Sequence, residues 1–271
     1  MTSARVVLLL VAVLLWPLAG SAMALDHGFA AYAEVLRAVV RGSRVDYAAL
    51  KADRGRLDAV VRSWARPTRA EEQAWTRQQR MAFWINAYNA LTLQAIIDHY
   101  PIRGSIFSLS PRSSIRQIDG VWTALTWTVA GRTVTLDDIE HKILRPTFGD
   151  ARIHFAVNCA SVSCPTLAPE PYRADTLNAA LDAAARRYLG STEGVRVDGR
   201  VLRVSSIFKW YGEDFIPEYA AVVPGTRAPG ERAILGAIVR FGPSEAARAA
   251  RDGDLRIGFL DYDWSLNDVV R

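Results

Sequence analysis

The two cysteines of the chain are its clearest candidates for covalent chemistry. Cys159 and Cys164 stand five positions apart, and the 271 residues contain no other cysteine. A thiolate is a strong nucleophile, but it needs a nearby base or cation that keeps it ionised. The candidate bases are His141 and His154. Because His154 lies on a predicted strand that points it away from Cys159, we pair Cys159 with His141. This pairing predicts a thiol-dependent hydrolase or acyl-transferase that acts on amide-type bonds.

Two more polar residues accompany this pair as candidate catalytic groups. Glu140 precedes His141 on the same predicted helix. Asn86 and Asn89 are three positions apart, and therefore lie on one face of an aromatic-rich predicted helix. A buried amide either donates to a developing oxyanion or ties its helix to neighbouring backbone, and the structural role is the commoner one. We include Asn86 in the catalytic hypothesis as a supporting polar group.

Two other arrangements of the same residues stay open. In an oxidising compartment Cys159 and Cys164 would form a disulfide that stiffens a recognition loop, and the protein would be a non-catalytic binding module. Alternatively, His141, His154, Cys159 and Cys164 make a set of two nitrogen and two sulfur ligands suited to tetrahedral zinc, although their spacing fits no standard zinc-finger pattern. The thiol hypothesis itself needs no cofactor.

Aromatic residues in the last third of the chain predict a binding surface. Four of them form two close pairs in the sequence: Trp210, Tyr211, Tyr262 and Trp264. They would line a groove for a peptide, a glycan or a protein ligand, although aromatic side chains more often serve as core. A third group normally orients a catalytic histidine, and Asp214 and Asp263 are both candidates for that role.

The spacing of apolar residues predicts mostly helices in the N-terminal half. The strongest helical pattern covers 78–100 and stops at Pro101. Other predicted helices cover 29–41, 45–64, 136–144, 175–189 and 233–241. The run 153–157 predicts a buried strand, and Asp198-Gly199 predicts a hairpin turn. We therefore predict one α+β domain whose helical N-terminal half packs on a small mixed or antiparallel sheet.

The first 24 residues predict an export signal. Arg5 precedes an apolar run over 6–18, and Ala22-Met23-Ala24 fits the rule for a cleavage site. The run is shorter than the roughly 20 residues that cross a bilayer, and no later stretch approaches that length. We expect cleavage after Ala24, a single domain over 25–271 in the periplasm or outside the cell, and no stable membrane span after cleavage.

Charge and motifs exclude several classes of function. The chain has 33 basic and 28 acidic residues, with a net charge of +5, and the excess is spread without any basic run. This distribution gives no support to nucleic-acid binding. The sequence also lacks G-x-S-x-G, a phosphate-cradling loop and H-E-x-x-H, which argues against three common enzyme classes.

Several sequence blocks resemble those of the DUF547 domain family. They occur in the expected order at 82–91, 136–145, 154–165, 207–212 with 214–215, and 262–267. The first block reads AFWINAYNAL, and the third contains both cysteines. The resemblance implies an exported bacterial protein with a distant likeness to papain- or transglutaminase-type folds. It implies no activity, because the family name itself marks unknown function.

Overall fold

The structure is a computed structural model that describes residues 25–252 and 255–269. The predicted export signal over 1–24 lies outside the described residues. The α-helices are Ala30–Val39 (α1), Tyr47–Ala52 (α2), Arg54–Trp64 (α3), Arg69–Ala74 (α4), Arg77–His99 (α5), Arg145–Phe148 (α6), Leu177–Leu189 (α7), Ile207–Tyr211 (α8), Ile216–Tyr219 (α9), Pro229–Phe241 (α10) and Ser244–Asp252 (α11). Within the described ranges, no helix combines the length and the apolar character that crossing a bilayer requires.

Shorter helical turns and small sheets connect these helices. A π-helical turn covers Asp138–Leu144, and 3₁₀ turns cover Ile115–Gln117, Ala151–Phe155 and Gly212–Phe215. Two antiparallel hairpins pair β1 (Val40–Arg41) with β2 (Arg44–Val45), and β3 (Trp127–Val129) with β4 (Arg132–Val134). A three-stranded mixed sheet contains β5 (Val195–Asp198), β6 (Val201–Val204) and β7 (Arg256–Phe259). In it β6 pairs antiparallel with β5 and parallel with β7.

The longest helix, α5, forms the centre of the N-terminal half. It begins with a capping box, in which the side chains of Thr76 and Gln79 each accept a hydrogen bond from the other's backbone N–H. It ends just before Pro101, which cannot continue a helix. Buried side chains occur on all faces of this helix, as expected for a helix inside a core rather than on a surface. Asn86 and Asn89 are the amides buried within this helix.

A fully buried carboxylate ties α4 to α5 and to β4. Glu72 accepts hydrogen bonds from the Arg80 guanidinium at 2.9 Å, the Trp84 indole at 2.9 Å and the Arg132 guanidinium at 2.8 Å. Burial raises the pKa of Glu72, but these bonds and charges outweigh it, and the net pKa is lowered. A buried charge is tolerated when it is paired in this way.

Buried apolar side chains form two clusters. The first contains side chains of α1, α2, α3, α5, the β3–β4 hairpin and the π-helical turn. The second joins α7, α8, α10 and α11 to the three-stranded sheet, so the sheet packs against C-terminal helices rather than the N-terminal half. Ala160 belongs to the first cluster and Ile207 to the second. A cavity opens where the two clusters meet, which is a common location for binding sites.

The predicted α+β class is confirmed, and the predicted strand over 153–157 is wrong. Ala151–Phe155 forms a 3₁₀ turn that begins where the Asp150 carboxylate accepts from the backbone N–H of Arg152 at 3.0 Å. A five-residue apolar run has no periodicity that separates a strand from a buried turn. His154 therefore lies on a turn, and the argument that a strand points it away from Cys159 no longer applies.

Candidate active site

Two asparagines shape the segment 158–165, which we call the cysteine loop. Asn89 accepts a hydrogen bond from the Asn158 backbone N–H at 2.8 Å and donates to the Ala156 carbonyl at 3.0 Å. The Asn158 side chain donates to the Pro165 carbonyl at 2.7 Å and so joins the two ends of the loop. The amide on α5 thus holds the entry to the cysteine loop in place.

A left-handed residue follows the first cysteine. Ala160 has a φ of +61°, which is uncommon for a residue other than glycine. Its N–H donates to Asn158 Oδ1 at 2.9 Å, and its carbonyl accepts from the Asn267 N–H at 3.0 Å. Such strained residues persist where the surroundings hold them, and they concentrate at functional sites. The turn at Ala160 folds the loop back and brings Cys164 against Cys159.

The two thiols are in direct contact, with Sγ atoms 2.7 Å apart. Both are free, Cys159 half-buried and Cys164 buried. The Cys159 sulfur also lies 3.3 Å from the Ser161 hydroxyl and 3.3 Å from the Tyr262 hydroxyl. The more accessible thiol therefore lies within hydrogen-bond distance of a second thiol and two hydroxyls.

These contacts make Cys159 the more acidic of the two thiols. The hydrogen bond from Cys164 lowers the pKa of Cys159 most, burial opposes it, and bonds from Ser161 and Tyr262 assist, so that the pKa falls from 9.0 to about 7. Burial, followed by the neighbouring Cys159, raises the pKa of Cys164 well above 9.0. The pair therefore loses its first proton with the charge on Cys159. Near neutral pH a substantial fraction of Cys159 is thiolate.

The Cys164→Ala substitution should raise the pKa of Cys159, because it removes the strongest hydrogen bond to the thiolate. We expect the rate of alkylation by iodoacetamide at pH 7 to fall about tenfold, since the loss of thiolate exceeds the gain in intrinsic nucleophilicity. The rate measured against pH gives the pKa directly. Tyr262→Phe, which removes a weaker donor, should shift it less. An unchanged profile in Cys164→Ala would show that another group lowers the pKa.

The thiol faces a cavity of about 400 Å³ at the junction of the two clusters. Its aromatic walls are Tyr88, Trp122, Trp210, Tyr211, Tyr262 and Trp264. Its titratable side chains are Asp137, Glu140, His141, His154, Cys159 and Cys164. A cavity of this size with aromatic walls and a few polar groups has the make-up of a small-ligand site.

One of the cavity histidines is held by a carboxylate. Asp214 Oδ2 lies 2.7 Å from His154 Nε2, and the Asp214 carboxylate also accepts two bonds from the Arg145 guanidinium, at 2.6 and 3.0 Å. The guanidinium fixes the carboxylate, and the carboxylate fixes the imidazole. When Nε2 donates, Nδ1 of the neutral ring is left as an acceptor. A histidine oriented in this way is suited to proton transfer.

The Tyr211 ring connects the two histidines. Its centroid lies 4.2 Å from that of His154 and 6.2 Å from that of His141, with nearly parallel planes. Arg145 donates to His141 Nδ1 at 2.9 Å, and His141 Nε2 lies 3.5 Å from Asp137 Oδ1. Because a guanidinium can only donate, His141 Nδ1 must accept, and it is not available to take another proton.

Asp214→Asn should weaken the protein mainly above pH 4. Burial raises the pKa of Asp214, but the hydrogen bonds and charges of His154 and Arg145 lower it far below 3.8. A lowered folded-state pKa contributes stability above the unfolded-state value, and that stability is lost as the pH falls. We expect a loss of about 2 kcal/mol at pH 7 in urea unfolding, which shrinks as the pH drops below about 4. The neighbouring Glu213→Gln, at an exposed position, should leave the free energy of unfolding unchanged at pH 7 and below pH 4. A loss in Asp214→Asn that is equal at pH 7 and below pH 4 would contradict the role of Asp214.

The structure brings most of the predicted residues to one place. Cys159, His141 and Glu140 line the same cavity. In the described part of the chain, the Cys159 sulfur hydrogen-bonds neither His141 nor His154. Asn86 does not line the cavity; its amide bonds the backbone N–H and carbonyl of Tyr172 at 2.9 and 2.8 Å.

The four side chains considered as zinc ligands do not form a donor set. Among residues 25–252 and 255–269, no three His, Cys, Asp or Glu side chains are placed to hold a metal ion. His154 is engaged by Asp214, and His141 is engaged by Arg145. Each histidine therefore has a ring nitrogen bonded to a protein partner.

Sequence reasoning missed the roles of Ser161 and Trp122. Ser161 hydrogen-bonds the thiol from two positions along the loop, and that spacing was its only signal. Trp122 reaches the cavity from a turn ahead of the β3–β4 hairpin, and no local pattern marks it. Of the two aspartates considered as a third group, Asp214 bonds His154, whereas the Asp263 side chain accepts from the Ser265 backbone.

Comparison with known proteins identifies one family. Residues 72–189 match the family described as Protein of unknown function, DUF547. No curated protein and no solved structure matches the chain. The matched stretch contains α5, the π-helical turn and the cysteine loop, whereas α8 and Tyr262 lie beyond it. Over residues 72–189, the chain is similar to the DUF547 family of proteins of unknown function.

Proposed function

We propose that this protein is a thiol-dependent hydrolase or acyl-transferase with Cys159 as its nucleophile. The observation that carries the proposal is the half-buried Cys159 thiol at the wall of an aromatic cavity, in contact with Cys164 and two hydroxyls. These contacts lower the pKa of Cys159 to about 7. Nucleophilic cysteines are found in this kind of microenvironment, where donors stabilise the thiolate and a ligand can reach it. Structural cysteines are more often buried in apolar surroundings that raise the thiol pKa, as they do for Cys164.

The proposed reaction has two steps. The Cys159 thiolate attacks an acyl carbon, a carbon–sulfur bond forms, and the bond to the leaving amine, alcohol or thiol breaks as that group takes up a proton. A water molecule, or another acceptor, then attacks the thioester, gives up its proton and releases Cys159 as thiolate. The first step needs a proton donor and the second needs a proton acceptor.

His154 is the better candidate for this proton transfer. Its Nε2 is bonded to Asp214, which leaves Nδ1 as an acceptor, whereas Arg145 occupies Nδ1 of His141. Neither ring bonds the Cys159 sulfur, whose low pKa comes from Cys164, Ser161 and Tyr262. The expected activation of Cys159 by His141 is therefore not needed for a thiolate. We assign His154 to accept the proton of the attacking water at Nδ1, and to give that proton to the leaving group of the next turnover.

The cavity walls favour an extended ligand with apolar or ring-shaped parts. Trp210, Tyr262 and Trp264 contact one another with ring centroids 4.6 to 5.8 Å apart and form one wall. Aromatic faces bind sugar rings and peptide side chains alike, so a peptide or a glycan carrying an acyl or amide group fits this wall. Glu140 and Asp137 add negative charge at the cavity.

An activated ester tests the proposal and separates the two histidines. In p-nitrophenyl acetate the leaving group needs no proton, so we expect wild type, His141→Ala and His154→Ala all to form an acetyl thioester at Cys159. Only His154→Ala should accumulate it, because deacylation needs a base for water. Intact mass and peptide mapping report the adduct. Failure of the wild type to acetylate Cys159 would overturn the proposal.

A second candidate function is a non-catalytic binding module with a Cys159–Cys164 disulfide. One observation favours it: the two sulfur atoms are already 2.7 Å apart, so oxidation needs little movement of the loop. This candidate predicts an oxidised pair in the isolated protein and no acetylation by the ester. Thiol counting by mass before and after reduction distinguishes it from the enzyme.

We also propose that the protein is exported and cleaved after Ala24. The apolar run over 6–18 and the Ala-Met-Ala sequence at 22–24 support this proposal. Sequencing the N-terminus of the protein recovered from a bacterial periplasm tests it. A start at Leu25 is expected, and an intact Met1 in the membrane fraction would contradict it.

A further inference from the structure

An exposed apolar tip occurs on the loop between α5 and the first 3₁₀ turn. Ile106, Phe107 and Leu109 are all strongly exposed, and Phe107 shows 92% of its surface to solvent. Scattered single apolar residues on a surface need no explanation, but three within four positions form a patch. We call residues 104–117, which end with that 3₁₀ turn, the apolar-tip loop.

Hydrogen bonds within the apolar-tip loop hold its conformation. The Gln117 side chain donates to the carbonyl of Ser110 at 3.0 Å and accepts from the backbone N–H of Ser105 at 3.2 Å. Gly104 and Arg112 close the base, since the Gly104 N–H donates to the Arg112 carbonyl at 2.9 Å. A Cβ on Gly104 would lie 2.2 Å from the Gln117 side chain, so glycine allows this close approach.

Several backbone N–H groups of the tip are paired within the loop. The N–H of Phe107 donates to the Ser105 hydroxyl, and the N–H of Ser110 donates to the Ser108 hydroxyl, both at 3.1 Å. The Ser108 N–H reaches the Ser105 carbonyl at 3.4 Å. Backbone donors that are paired inside a loop can leave water at lower cost than unpaired ones. The tip is therefore suited to an environment poorer in water.

Basic residues flank the apolar tip in the sequence. Arg103, Arg112 and Arg116 are exposed, and the stretch 101–118 contains no carboxylate. Apolar side chains flanked by basic ones match the two layers of a lipid surface, in which acyl chains lie beneath phosphate groups. A protein partner would need an apolar pocket with an acidic rim, which is a more specific requirement than an anionic lipid surface.

We propose that the apolar-tip loop binds the surface of an anionic lipid bilayer. Ile106, Phe107 and Leu109 enter the interfacial layer, and the arginines contact lipid phosphates. The Arg116 guanidinium also lies 5.0 Å from the centroid of the Trp264 ring, which lines the cavity. Binding through this loop would therefore bring the cavity close to the lipid surface.

Vesicle co-sedimentation tests the proposal on the full chain. We use vesicles of phosphatidylethanolamine with phosphatidylglycerol, and vesicles of phosphatidylcholine alone. The double variant Phe107→Ser with Leu109→Ser should lower the partition coefficient on anionic vesicles about tenfold. Val222→Ser removes an exposed apolar side chain elsewhere and should leave it unchanged. Arg103→Gln should reduce the preference for the anionic vesicles.

A fluorescent reporter in the loop distinguishes membrane binding by the loop from membrane binding by the N-terminal apolar run, which all variants share. In Phe107→Trp, the emission gained over wild type should shift to the blue on anionic vesicles and be quenched by brominated acyl chains. Equal partitioning of wild type and the double variant, together with an unquenched Trp at 107, would overturn the proposal. A protein partner, the other reading of this surface, would produce that same result. Neither measurement depends on Cys159, so the proposed catalysis is tested separately.

Discussion

Cys159→Ser should abolish acylation by p-nitrophenyl acetate and leave the fold intact. A serine hydroxyl at this position has a much higher pKa than the thiol, and no histidine bonds it, so we expect a loss of at least about 1,000-fold in the acylation rate. The release of nitrophenolate in the first turnover measures this rate. The Sγ atom contacts Cys164, Ser161 and Tyr262, and a hydroxyl can keep polar contacts with each of them.

Cys164→Ala is the matched control for this experiment. It keeps the nucleophile but removes the strongest hydrogen bond to its sulfur, together with the bond that the Cys164 sulfur accepts from the Cys159 backbone N–H at 2.7 Å. Acylation should therefore continue at a reduced rate. Unfolding curves should place Cys159→Ser close to wild type, which separates loss of chemistry from loss of structure. Residual acylation in Cys159→Ser comparable to wild type would mean that another residue reacts with the ester.

Glu72→Ala should be among the most destabilising single substitutions in the chain. Glu72 is fully buried, and its removal leaves the Arg80 and Arg132 guanidinium groups and the Trp84 indole without their shared acceptor. Removing one partner of a buried ion pair costs about 3–5 kcal/mol. Urea unfolding at pH 7 measures the loss. Because the pKa of Glu72 is lowered, its contribution is present above the unfolded-state pKa of 4.5 and is lost as the pH falls.

The adjacent Glu71 provides the control. Glu71 is exposed and only completes the capping box with Thr68, in which it accepts from the Thr68 backbone N–H at 2.7 Å. Glu71→Ala should therefore destabilise far less than Glu72→Ala, although both remove one carboxylate from α4. Similar losses from the two substitutions would contradict the assignment of Glu72 as the buried centre of this network.

Local signals in the sequence were sufficient for several regular elements, although the helix predicted over 45–64 is divided into α2 and α3. The periodicity over 78–100 predicts α5, which spans Arg77–His99. The capping box of Thr68 and Glu71, which starts α4, is also a pattern of neighbouring residues. Asp198-Gly199 forms the predicted turn between β5 and β6, with Gly199 at a φ of +55°. In each case the deciding interaction lies within a few residues, so the sequence pattern contains it.

Elements fixed by distant partners were not predictable. The 3₁₀ turn at Ala151–Phe155 is held by Arg152, which bonds Asp150 and also Asp182 on α7. The apolar residues of that turn give no hint of this ion pair. The π-helical form of Asp138–Leu144 was likewise not foreseen, since the same residues read as an ordinary helix.

The candidate site shows the same division. Chemical type alone singled out Cys159 and the histidines, because few residues can act as nucleophile or base. Their pairing was beyond the sequence, since the groups that bond the thiol and His154 include Tyr262 and Asp214, which come from segments far along the chain. The low pKa of Cys159 follows from that convergence.

The rate of alkylation of each cysteine against pH tests the central claim most directly. The reduced wild-type protein is treated briefly with iodoacetamide from pH 5 to 10, and peptide mass spectrometry quantifies the two sites. We predict that Cys159 reacts first and that its rate is half-maximal at a pH of about 7. Cys164 should react only at much higher pH. Earlier alkylation of Cys164, or a Cys159 rate that is half-maximal near the ordinary value of 9.0, would contradict a reactive Cys159 thiolate.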